Sequence, residues 1–332
     1  MKIKMYSSLT EKESRFESVN IDNKNDIDDL IKKWSGKNSN KQMIFRGLSE
    51  AKYKLINSAQ RYWIGEELDK FGGTYKTFVQ KEIEIAKNFQ NRLLIKFYNA
   101  FGHTAYDLSI LSFLQHYGAP TPLLDFTYNF DCALFFGIDK LTFNPSKDID
   151  NYFSIYAIDT NQNEFISLYT HLEENVSQID SFLDENENKD FNIDATEVLN
   201  QIKELQYGYF DELKLFYLPG YIPNGIRFKM SNRPNFKLVY NQHNLNVINQ
   251  EGLFVFHSDP TRPLEDYFTG NSRSFQPTFQ LHKIKCWNIH KNLKEHIEKH
   301  LIENLTPPIN KEFIYPQEEF IAASAFKQFK KS

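Results

Sequence analysis

The stretch PLLDFTYNFDCALFFGI, residues 122–138, constrains this chain more than any other. Its opening, LLDF, is a short apolar run that fits a buried strand. Its close, Phe130 to Ile138, is apolar on every side and fits a buried helix. Between them Asp125, Thr127 and Asn129 recur at every second position. On an extended segment three such side chains share one face. The reading is a strand, a turn over Thr127 to Asn129, then a helix. The three polar groups orient Arg46 or touch a ligand, or Asp125 or Thr127 simply caps the helix, and both can hold for different members of the set.

The rest of the chain interleaves strands and helices. Ile27, Leu30, Ile31 and Trp34 give one helix face, with Asn25 or Asp26 as its cap and Gly36 as its stop. QMIFRG (42–47) reads as a strand closing at Gly47. Residues 66–97 read as two helices divided at Gly72 and Gly73, with Phe78, Ile83, Ile85, Phe89, Leu93 and Leu94 too dense for a surface strand. Residues 105–118 read as a helix ended by Gly118 and the prolines that follow. YFSIYAI (152–158), LKLFYL (213–218), GLFVFH (252–257) and QLHKIKC (280–286) read as strands. Residues 161–205, 243–250, 289–305 and 316–329 read as helices, 219–225 as a turn cluster and the acidic patch 184–190 as a solvent loop. Without regular βαβ spacing, the pattern favours an α+β fold with a mixed or antiparallel central sheet flanked by helices. The divisions read from sequence are a lead-in with a short helix (1–37), a core (38–160) and a C-terminal part (161–332) completing the same globule. The last carries a helical insert at about 161–210, and a separate lobe over 161–240 stays open.

Composition narrows the function classes. Apolar residues make up 41% of 332, enough for a sizeable core, and 30 Phe with 18 Tyr make that core aromatic. A net charge of −4 argues against a dedicated nucleic-acid binder. Two cysteines build neither a disulfide framework nor a zinc site, and Cys132 reads as core. No apolar N-terminal segment and no run near the ~18 residues of a membrane span is present, so the expectation is a cytoplasmic bacterial protein without membrane contact. Phosphate-loop, dinucleotide, nucleophile-elbow and zincin motifs are absent. His296 and His300, four apart with His290 nearby, have metal-binding spacing, but flanking Lys and Glu make them a solvated face, and no metal is expected.

Several residues could carry chemistry. Arg46, within an apolar strand, must be paired or bound, and its fork suits a phosphate or carboxylate. Its alternative is an ion pair with Asp125. Gly47 would admit a ligand or another backbone. His116, at a helix end, suits acid–base work or merely the helix dipole. Gln250 and Glu251 precede the strand at Gly252. Glu251 is a candidate catalytic carboxylate or a solvent-facing helix-end charge, and His257 is a second candidate on that strand.

Phe45-Arg46-Gly47 resembles the signature of the FRG domain, and QHYGAPTPLLDFTYNFDCALFFG (115–137) resembles that domain's second hallmark. INQEGLFVFH (248–257) and FIYPQEEFIAAS (313–324) resemble later elements of fuller-length members. The family usually has Arg where this chain has Pro122, and often Pro where it has Phe130. Its motif order is similar to that of arginine-type ADP-ribosyltransferases, a likeness at fold level. The resemblance implies NAD as a substrate, a toxin or phage-defence setting, and a protein or nucleic-acid target. Arg46 would then hold the pyrophosphate or nicotinamide ribose. Gly47, Asp125, Thr127, Asn129 and Gln250 would shape the pocket, and Glu251 and His116 would be catalytic. The other reading is a non-catalytic module that senses a nucleotide or phage ligand.

Overall fold

Asn23, rather than Asn25 or Asp26, starts the first long helix. The computed structural model describes residues 3–37, 41–100, 105–161, 165–170, 210, 214–219, 226–227, 237–238, 245–269 and 283–317, with Glu174, Ser177 and Ser181. The Asn23 side chain accepts from the Asp26 N–H at 3.1 Å, which satisfies a donor that the first turn leaves open. The polar lead-in is also more structured than its composition suggests. It forms helix α1 (Leu9–Glu13), capped by Ser8, and strand β1 (Glu17–Ile21) before helix α2 (Lys24–Trp34). Tyr6, Leu9 and Phe16 are buried, so a few anchors suffice to dock it.

The strands that follow are β2 (Met43–Leu48), β3 (Leu123–Thr127), β4 (Tyr152–Asp159), β5 (Ile166–Ser167), β6 (Leu215–Pro219), the short pair β7 (Ile226–Arg227) and β8 (Lys237–Leu238), then β9 (Gly252–His257) and β10 (Lys285–His290). Among the described residues they form an eight-stranded sheet in the order β1-β10-β4-β2-β3-β9-β6-β5, with β7 and β8 apart. The pairs β1–β10 and β5–β6 are parallel and the rest antiparallel. With its flanking helices this is the mixed α+β architecture expected. Thr127 ends β3 rather than opening the turn. Of the strand read at 280–286, residues 280–282 lie outside the described residues; β10 runs from Lys285 to His290, and Ile289 is fully buried and pairs with Ile21 and Phe153. The helix read from 289 therefore starts only at Lys294.

The helices are α3 (Ser58–Gly65), α4 (Tyr75–Ala100), α5 (Asp107–His116), α6 (Phe130–Ile138), α7 (Leu245–Asn249), α8 (Lys294–Glu303) and α9 (Lys311–Ile314). Gly118 follows α5 with φ +81, a left-handed stop that favours glycine. In α4, Val79, Ile83 and Tyr98 are buried, whereas Ile85, Phe89 and Leu93 face solvent. Its backbone leaves helical geometry between Phe89 and Arg92. Most of 161–205, the patch 184–190, the turn cluster 220–225 and the final helix beyond residue 317 lie outside the described residues.

Side chains alternate across the sheet and fill both faces. One face carries Phe45, Phe153, Ile155 and Trp287 against α2, α6 and α8. The other carries Ile44, Leu124, Phe126, Tyr156 and Val255 against the N-terminal segment. A third cluster joins Trp63, Tyr75, Leu108 and Leu111 to Phe254 and Phe256. Each fully buried Phe contributes roughly 1.5–3 kcal/mol of transfer free energy. No helix among the described residues is long and apolar enough to cross a membrane.

Candidate functional site

Strand β2 is joined very differently to its two neighbours. To β4 it pairs at six consecutive positions, Met43↔Asp159 through Leu48↔Ser154. To β3 it pairs at one, Phe45↔Thr127. Past that point the two strands part, and Arg46 lies at the opening. On one side is a hollow of about 410 Å³ that Arg46, Gly47, His116, Asp125, Thr127 and Gln250 help to line. Six of the eight predicted residues therefore meet there.

Arg46 bridges the parted strands. Its Nη1 donates to the Asp125 carbonyl and lies 3.7 Å from that residue's Oδ2, while the guanidinium sits 6.0 Å from the Phe126 ring centroid. Its Nε is buried without a hydrogen-bond partner. Burial pushes the Arg46 pKa down, and Asp125 opposes that shift. The Asp125 side chain is 58% exposed and also accepts from Gln115 Nε2 at 2.8 Å. The contact is thus a rim pair, not a closed core ion pair, and it leaves the arginine with unused donor capacity. His116 stands on the same rim. Burial lowers its pKa and Asp125 opposes the shift, so the imidazole is held toward its neutral form.

The glycine of the strand has a structural duty. A Cβ at Gly47 would lie 2.0 Å from the Ala133 carbonyl oxygen and 2.6 Å from the Gly137 nitrogen. Here glycine admits another backbone, that of α6, and the contact fixes where α6 crosses β2.

Thr127 and Asn129 build the turn into α6. Asn129 Oδ1 accepts from the N–H groups of Asp131 and Cys132, so Asn129 is the helix cap rather than Asp125 or Thr127. Thr127 Oγ1 accepts from the Asn129 N–H at 2.9 Å and donates to the Gln250 carbonyl. The Tyr128 N–H donates to the Glu251 carbonyl at 3.0 Å. Gln250 in turn donates from Nε2 to the Ile314 carbonyl at 2.7 Å. The start of β9 is thereby pinned to the end of β3.

Glu251 is left-handed, with φ +47, and its Oε1 accepts from Asn129 Nδ2 at 3.3 Å. Glu251 and Asn129 line a neighbouring groove of about 400 Å³, together with Trp34, Ser35 and Asp131. Consecutive residues, Gln250 and Glu251, thus line two adjacent hollows. His257 stands elsewhere. It is fully buried, bonded through Nε2 to Asn57 at 3.2 Å, and burial lowers its pKa to about 4.

Two groups escaped the sequence reading. His300 is no solvated-face residue: it is buried, with Nε2 3.0 Å from Asp131 Oδ1, and Asp131 also accepts from Ser35 Oγ at 2.7 Å. The carboxylate lies between the serine and the histidine, so the imidazole is not positioned to take the serine proton. His296 pairs with Asp28 at 2.6 Å. No cluster of metal-binding side chains occurs among the described residues. The second group is Arg61 on α3, close enough to Arg46 to lower its pKa. Its only signal was a cation inside the mostly apolar run SAQRYWIG.

No curated protein and no solved structure matches this chain. A family model does match, that of the FRG domain, over residues 41–144. That span contains Arg46, the α6 backbone against Gly47, and the whole β3–α6 turn, so the parted seam is a feature of this segment. The chain carries an FRG domain, and its residues 41–144 build most of the Arg46 hollow.

Proposed function

We propose that this FRG-domain protein is an ADP-ribosyltransferase-like enzyme that takes NAD as substrate. The observation that carries the reading is the adjacency of β2, β3 and β9. Phe45, Thr127 and Gly252 form one row across the three strands. Arg46 follows that row on β2, and Glu251 precedes it on β9. An arginine for the dinucleotide and a carboxylate for the reacting ribose thus flank one polar threonine. In the reaction the bond between the ribose anomeric carbon and the nicotinamide nitrogen breaks, and its electron pair leaves with nicotinamide. The target nucleophile bonds to that carbon and gives up its proton. Arg46 would fork onto the pyrophosphate with the guanidinium donors that its contact with Asp125 leaves unused. Glu251 would stabilise the oxocarbenium-like charge and take the proton, the logic of carboxylates in glycosyl transfer. His116, held toward neutrality, can accept a proton at the opposite rim. A protein or nucleic-acid target in a bacterial toxin or phage-defence setting is what the family resemblance implies.

A second reading has its own support. Glu251 is bonded to Asn129 and lines the next groove, so the Arg46 hollow also suits a sensor that binds a nucleotide without turnover. One experiment separates the two. Wild type, Arg46→Ala and Glu251→Gln are incubated with labelled NAD and a cell lysate, and nicotinamide release, label transfer and NAD binding are followed. The enzyme reading expects transfer by wild type, loss of binding and turnover in Arg46→Ala, and retained binding with a loss of turnover of about a hundredfold or more in Glu251→Gln. Binding without turnover in wild type, abolished in Arg46→Ala, establishes the sensor instead. Neither binding nor turnover by the folded wild type rejects both.

A further inference from the structure

Arg46 also lines a second cavity, across the sheet from the hollow it shares with His116 and Gln250. This one is larger, about 630 Å³, within the size range of pockets that enclose small organic ligands. Its walls are mainly apolar, with Leu55 and Leu124 behind and the half-exposed Tyr53 at the edge. Its charges are of one sign. Arg46, Arg61 and Lys54 line it, and no Asp or Glu does.

The two arginines are under-compensated. The carboxylate that acts on both is Asp125, which is 58% exposed and already accepts from Gln115. Lys54 leans over the Tyr6 ring at 5.0 Å. Arg61 donates to the Ile56 carbonyl at 2.7 Å, one bond for a group with five donors. Arg46 keeps its buried Nε unpaired. Arg46 is largely buried whereas Arg61 reaches solvent, and like charges brought this close repel unless an anion lies between them. The apolar walls demand in turn that the anion carry an apolar body, because a small hydrated ion would leave them exposed to water.

We propose that this cavity is a binding site for a small organic anion, a carboxylate or phosphate ester on an apolar body, with its charge clasped by Arg46 and Arg61. The site stands apart from the transferase reading, since it needs neither Glu251 nor turnover. Because Arg46 faces both hollows, an anion held here would draw on the same guanidinium that serves the other side of the sheet.

Paired probes test it: naphthoate, its neutral amide naphthamide, and naphthyl phosphate, titrated against the full chain by their fluorescence. Saturable one-to-one binding of naphthoate or naphthyl phosphate is expected, about tenfold or more tighter than naphthamide, because a charge-assisted bond is lost in the amide. The tighter of the two anions identifies the headgroup. Arg61→Gln should cut that advantage severalfold and leave naphthamide affinity unchanged, whereas Tyr53→Ala should weaken acid and amide alike. Thermal melting of both variants confirms that they are folded, and both positions are exposed enough to tolerate change. Equal affinity for acid and amide, an anion preference undiminished by Arg61→Gln, or no saturable binding would overturn the proposal.

Discussion

The two flanks of β2 obey opposite rules. Toward β4 the strand is closed at six positions, and α6 crosses it so tightly that only glycine fits at position 47. Toward β3 it is held by one pair, and the space beyond is lined by Arg46, His116, Asp125 and Gln250. The closed flank supplies rigidity and the open flank supplies access. A strand zipped on both sides would have no room for a guanidinium between its neighbours. A strand free on both sides could not hold that guanidinium still. Rigid support on one side with an opening on the other is what preorganised sites require.

The sharpest way to break this contrast is Gly47→Ala. The new methyl would meet the Ala133 carbonyl and the Gly137 nitrogen, both backbone, so α6 must move. We expect a loss of about 3 kcal/mol or more in urea unfolding, the upper end of the range for overpacking. A Gly47→Ala protein that melts like wild type would mean that the closed flank is looser than its geometry.

Thr127→Val acts on the pin at the open flank. It keeps the shape but removes the hydroxyl that serves the Asn129 N–H and the Gln250 carbonyl. Unpaired buried backbone groups cost about 1–3 kcal/mol. Faster hydrogen exchange should follow in the β3–α6 turn and at the start of β9, with β4 unaffected. Uniform loosening of the sheet would contradict a pin local to the seam.

The smallest effect on stability, about 1 kcal/mol, is expected from Asp125→Asn, because that side chain is 58% exposed and the bond from Arg46 to the Asp125 carbonyl remains. Its signature is in pH. His116 already titrates below its ordinary value of 6.5 through burial, with Asp125 pulling it back up. Removing Asp125 should lower the His116 pKa further, read by NMR titration. A histidine depressed in the fold binds its proton more readily when unfolded. Its contribution is therefore present above the ordinary value and lost as pH falls through the folded pKa. The variant should lose stability more steeply in acid than wild type. An unchanged His116 titration would show that Asp125 does not reach the ring.

Much of this was legible in the residues themselves. The run from Leu123 to Ile138 gave strand, polar turn and buried helix, because apolar length and polar spacing are local signals. Gly118 marked a helix end through its freedom at positive φ. Arg46 within an apolar strand announced a paired or bound cation, since burial of a bare charge is too costly. What misled was equally local. The cap of α6 is Asn129 rather than Asp125 or Thr127, because the helix starts two residues later than a cap at Thr127 would require. His300 looked solvated because its sequence neighbours are Lys and Glu, yet Asp131 reaches it from another helix.

The sequence by itself determined most of the elements, the aromatic core and the polar set gathered around Arg46, since each follows from propensity, periodicity or the cost of burial. Only the tertiary structure decided that β2 and β3 part after one pair, that Glu251 opens onto a groove beside the Arg46 hollow, and that Arg61 stands with Arg46 in a cavity across the sheet. Those depend on which strands become neighbours and where they diverge, and such long-range pairing leaves no local mark on the chain.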